Sequence, residues 1–66
     1  MPSCYDKNNT PLNVGNWVSI DTMGSEIEGS IKKLLPHNIV VVEDEYGTEH
    51  TVNALNMYQI PDTPIL

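Results

Sequence analysis

Apolar and polar residues alternate in short stretches through the middle of this 66-residue chain. Trp17-Val18-Ser19-Ile20-Asp21 sets Val18 and Ile20 on one face and Trp17, Ser19 and Asp21 on the other, the period of a half-buried strand. A turn at Met23-Gly24-Ser25 leads into a second strand, Glu26 to about Leu34, where Ile27, Gly29 and Ile31 share a face and Gly29 marks a bend. Pro36 ends that strand, because it has no N–H to give to a ladder. Asn38 to Asp44 predicts a third strand. Its continuous run Ile39-Val40-Val41-Val42 requires cover on both faces. After a turn at Glu45-Tyr46-Gly47 come a fourth strand, Thr48 to Val52, one helical turn over Asn53 to Asn56, and a last strand, Met57 to Ile60. No stretch carries a 3.6-residue apolar period. The pattern predicts an all-β fold, a small five-stranded, strongly bent antiparallel open barrel.

Residues 1–13 hold two prolines, three asparagines and little apolar content, and are expected to form a flexible N-terminal arm. The barrel domain is then 14–61, followed by a C-terminal tail, 62–66. A domain this small buries a thin core, which disulfides, a metal or self-association usually supplements. A disulfide within the chain is excluded, since Cys4 is the sole cysteine. Cys4, His37 and His50 lack metal-ligand spacing, so neither metal nor cofactor is expected. Self-association is the remaining route.

Nine acids against three lysines give a net charge of −6, with no arginine. That balance disfavours indiscriminate binding to duplex DNA or acidic membranes. The N-terminal residues form neither a basic leader nor an apolar run, and the longest apolar run is too short for a bilayer, so a cytoplasmic protein is expected. Cys4 has no base nearby in sequence, and no pair of carboxylates can be assigned to a common pocket. A non-enzyme is the expectation.

Two segments bear a family likeness. From Val18 to Asp44 run an alternating strand, Gly24 in a turn, Gly29 five residues on, a loop, and Asn38 opening an apolar strand. Val52-Asn53-Ala54-Leu55-Asn56-Met57-Tyr58-Gln59-Ile60 repeats the spacing of an apolar-Arg-Gly-x-x-apolar-x-x-apolar ending. The chain thus resembles the Sm/LSm family of ring-forming RNA-binding proteins. It departs from the family at Leu35, near the usual Asp, at Asn53 for Arg or Lys, at Ala54 for Gly, and in lacking an amphipathic N-terminal helix. The alternative is a KOW- or Tudor-like SH3 barrel, whose opening Val14-Gly15-Asn16-Trp17-Val18 resembles; Asn38 and the Val52–Ile60 ending favour Sm.

The Sm resemblance implies a homo-oligomeric ring, closed by pairing Thr48–Val52 of one subunit with Met57–Ile60 of the next. It also implies a pocket for single-stranded RNA or DNA. The matching positions are His37 for stacking a base, Asn38 for reading its edge and Asn53 for closing the pocket, with Lys32 and Lys33 supplying charge. Each has a plainer reading: His37-Asn38 as an ordinary turn, and Asn53 as a cap. The SH3-like resemblance implies instead a protein-interaction module whose acidic surface engages a basic partner. Trp17, opposite Val18 and Ile20, is expected beneath the N-terminal arm or in a subunit contact.

Overall fold

The computed structural model describes residues 2–60; Pro61 and the expected tail, 62–66, lie outside the described residues. Strands β1 (Cys4–Tyr5) and β2 (Pro11–Leu12) form a small ribbon. Strands β3 (Trp17–Thr22), β4 (Ser25–Leu35), β5 (Ile39–Asp44), β6 (Glu49–Asn53) and β7 (Met57–Gln59) form one antiparallel sheet, with a 3₁₀ turn at Ala54–Asn56 before β7. Its order is β6-β5-β4-β3-β7, so the last strand returns beside the first and the sheet stays open between β6 and β7. The all-β expectation holds, with each of the five strands within a residue or two of its predicted place.

Alternation along β3 determines the inner face. Val18 lies opposite Gly29 and Ile20 opposite Ile27, and both valine and isoleucine are fully buried. Ile31, Val40, Val42, Ala54 and Met57 complete the centre of the core. Gly29 is required by close approach: a Cβ there would run into the Glu43 carbonyl and lie 2.9 Å from Val42 Cγ1. The register slips between Ile31 and Lys33, with Ile31 opposite Val42 and Lys33 opposite Val41. This bulge changes which residues face inward, so Leu34 rather than Lys33 packs on the core. In the apolar run of β5, Val40 and Val42 are buried while Ile39 and Val41 are half-buried.

The segment expected to be a flexible arm is placed otherwise. Cys4 pairs with Leu12, and both are buried in the same core as the sheet. Cys4 Sγ lies 3.5 Å from the Leu35 carbonyl oxygen. Between the short strands, Asp6 closes the turn by accepting from the amides of Asn8 and Thr10, at 2.9 and 2.8 Å. Its other oxygen accepts from the Gln59 amide at 2.8 Å, while the Lys7 amide donates to the Met57 carbonyl at 3.0 Å. The Asp6 carboxylate and the Lys7 amide therefore strap this segment to β7, while Cys4 and Leu12 anchor it in the core. The physical reason is the thin core, which the strap extends by Cys4 and Leu12.

Candidate functional site

The residues implied by the Sm resemblance take different roles in the structure. His37 and Asn38 both take left-handed backbone conformations, φ 65° and 63°, in the turn joining β4 to β5. His37 is exposed. Asn38 faces the chain itself: its Oδ1 accepts from the Tyr5 amide at 2.8 Å, and its Nδ2 donates to the Tyr5 carbonyl at 3.1 Å. The same Nδ2 lies 3.4 Å from Asn53 Oδ1, which caps the 3₁₀ turn by accepting from the Leu55 amide at 2.9 Å. Asn38 and Asn53 are thus brought together, in the roles of turn and cap. Lys32 pairs with Glu43 at 3.3 Å, and Lys33 lies on β4 opposite Val41. No enclosed pocket forms among the described residues.

A second group of side chains converges on the outer face of β3, β4 and β7, opposite Val18 and Ile20. Cross-strand register places Ser19 between Glu28 on β4 and Tyr58 on β7, with Trp17 and Asp21 to either side along β3. Trp17 and Tyr58 are diagonal neighbours, about 7–8 Å apart along the backbone and within reach of one another's rings. Each ring is oriented by an acid: Trp17 Nε1 lies 3.4 Å from Glu28 Oε1, and Tyr58 Oη lies 3.4 Å from Glu26 Oε2. Asp21 stands directly opposite Glu26, so two carboxylates share one cross-strand pair. Like charges so placed repel, and a cation relieves them. Ser19 is fully buried beneath this group, and among the described residues its Oγ is the one buried side-chain N or O without a hydrogen-bond partner.

One cation already sits there. The Lys7 ammonium lies 5.2 Å from the centre of the Tyr58 ring and 3.0 Å from Asp21 Oδ2. Both charged side chains stay substantially exposed, at 40% and 54%, so this is a surface pair worth ~0–1 kcal/mol and readily displaced. Sequence reading had placed Trp17 on this face. It missed Tyr58 and Lys7, whose proximity depends on a strap that no local pattern announces.

Asp44 orders the acidic hairpin between β5 and β6. Asp44 Oδ1 accepts from the amides of Tyr46 and Thr48, each at 2.9 Å, and its Oδ2 lies 2.8 Å from His50 Nε2. The His50 contact, followed by the Thr48 amide, holds the Asp44 carboxyl below the ordinary range. Burial pushes Asp6 upward, but the backbone amides of Gln59, Thr10 and Asn8 outweigh it and hold that carboxyl low as well.

The two outer edges of the sheet differ. The Ile60 amide donates to Trp17 on β3, so by alternation Met57 and Gln59 point their backbone groups outward, where Lys7 and Asp6 take them. On β6, Thr48 accepts from Asp44, so His50 and Val52 face β5 while Glu49, Thr51 and Asn53 point outward. Among the described residues no hydrogen bond reaches the outward backbone of Glu49 or Thr51.

Comparison of the chain with models of protein families, with curated proteins and with solved structures gave no match. No helix among the described residues is long and apolar enough to cross a membrane.

Proposed function

We propose that this protein is an acidic, SH3-like protein-interaction module that binds a basic segment of a partner across the outer face of β3, β4 and β7. The observation that carries this reading is Lys7, whose ammonium rests on Tyr58 and Asp21 within the Trp17–Glu28–Glu26 group. A partner's lysine or arginine would find the same ring face and a carboxylate pair that gains from neutralisation. Net −6 without arginine favours such a partner over a polyanion.

The test is titration with lysine- and arginine-rich peptides, followed by the fluorescence of Trp17, the sole tryptophan. Binding should weaken with salt and fall several-fold in Glu28→Gln. Peptide binding unaffected by Glu28→Gln and Tyr58→Ala would remove this face from consideration.

A second reading follows from the open strand order and the nearness of Asn38 to Asn53: an Sm-like ring binding single-stranded RNA or DNA. It requires Asn38 to exchange its bonds with Tyr5 for a base, and the strap to leave the β7 edge. Short uridine- and adenosine-rich oligonucleotides distinguish the readings. Tight oligonucleotide binding that is lost in His37→Ala, without peptide binding, would favour the ring.

A further inference from the structure

We propose that the outer edge of β6 pairs with the same edge of a second copy, giving a two-fold dimer in which the sheet continues across the interface. An unpaired strand edge is a template for another strand, and the strap leaves β7 without an accessible one. With one open edge among the described strands, head-to-tail closure into a ring has no second surface. Self-pairing does, because a two-fold contact needs a single patch complementary to itself.

Register decides whether β6 is complementary to itself. Its outward backbone groups belong to Glu49, Thr51 and Asn53. An antiparallel pair centred on Thr51 matches Thr51 with Thr51 and Glu49 with Asn53, so the whole strand is used and no acid faces an acid. Threonine pairs are favourable across antiparallel strands. Centring the pair on Glu49 instead would set two carboxylates face to face.

A separate observation supports this register. Tyr46 at the hairpin tip and Leu55 in the 3₁₀ turn flank β6, and they are 86% and 59% exposed. Neither packs on the core. The Thr51-centred pair brings position 47 of one copy beside Leu55 of the other, so Tyr46 reaches the partner's 3₁₀ turn at both ends of the seam. Two otherwise unexplained apolar side chains then cover one another.

Each copy carries −6, so association should strengthen as salt screens the repulsion, the reverse of the dependence expected for a basic peptide. The experiment is sedimentation equilibrium of the full chain at low and at half-molar salt, over micromolar to millimolar concentration. A dimer whose dissociation constant falls at least several-fold with salt is expected. Thr51→Pro removes an outward N–H and leaves the bonds of His50 and Val52 to β5, so it should be monomeric. If Thr51→Pro does not fold, Thr51→Glu places two carboxylates across the axis and should likewise be monomeric with an unchanged circular dichroism spectrum. A monomer at every concentration, a larger ring, or a dimer indifferent to both substitutions would each overturn the proposal. Peptide binding at the outer face is read separately by Trp17 fluorescence, so either idea can fail alone.

Discussion

Asp6 and Gln59 join the two ends of the described chain: the Asp6 Oδ2 atom accepts the Gln59 amide at 2.8 Å across 53 positions of sequence. Asp6 is 1% exposed, and its other oxygen serves Asn8 and Thr10. Removing a buried carboxylate that satisfies three amides leaves all three without their acceptor. Hydrogen bonds to a charged group are worth ~1.5–3 kcal/mol each, with losses that do not add fully, so Asp6→Ala should cost about 3–5 kcal/mol. Asp6→Asn keeps one acceptor oxygen and should cost less. Urea denaturation measures both, and equal, small losses would mean that the strap contributes little to stability.

Acid should loosen the same contacts. Asp6 and Asp44 are both held below the ordinary carboxylate range, so each binds its proton more readily in the unfolded chain. Their stabilising contribution is therefore complete above the unfolded value, about 3.9, and is lost as pH falls through the lower folded values. The melting temperature should be level with respect to these two groups from neutrality to about pH 5 and fall below about pH 4. The double variant Asp6→Asn, Asp44→Asn should start lower and fall less. An identical acid decline in that variant would assign it to other groups.

How far such features are legible in the sequence depends on whether their cause is local. The strands were, because Val18 and Ile20 alternate with polar residues and the turn glycines fall between runs. The bulge at Lys32 leaves a trace too: inward residues step by two through Ile27, Gly29 and Ile31, then by three to Leu34. The strap was not legible. Cys4 and Leu12 stand alone among asparagines and prolines, and only tertiary contact makes them core. For the same reason Asn38 was readable as a turn residue, whereas its bonds to Tyr5 were not.

Asn38 gives a test of the structural role against the binding role. It holds a left-handed backbone and ties the strap to the β4–β5 turn. Asn38→Ala should cost about 3 kcal/mol, from about 1 for the left-handed conformation and about 1 for each of the two bonds to Tyr5. Asn38→Gly should recover the first part only. Thermal melts of the two variants that match the parent would show that these bonds contribute nothing.

Gly29 should tolerate no side chain. A methyl group there meets the backbone of Glu43 rather than the end of a flexible side chain, so the β4–β5 pair itself must move. Overpacking of this kind costs about 1–3 kcal/mol or more, which is a large share of the stability of a domain this size. Gly29→Ala is thus expected to lower the melting temperature by at least about 5 °C. A neutral result would show that the sheet bends here more freely than the packing suggests.

Lys7 offers the sharpest separation between the two readings of function. Its ammonium shares Tyr58 and Asp21 with whatever cation a partner presents, so it competes with the partner. An exposed cation–π contact contributes roughly 0.5–1 kcal/mol and this surface ion pair ~0–1 kcal/mol. Lys7→Ala should therefore tighten binding of a basic peptide about two- to thirtyfold. The Lys7 amide still donates to Met57, because the substitution leaves the backbone untouched, so the strap should remain in place. For a single-stranded nucleic acid the sign reverses: losing one of three lysines weakens attraction to phosphate. Parallel titrations of the parent and of Lys7→Ala with a lysine-rich peptide and with a uridine-rich oligonucleotide read that sign directly. Tighter peptide binding supports the interaction module. Unchanged or weaker peptide binding would mean that Lys7 does not stand in for a partner's cation, and the outer face would lose its principal support.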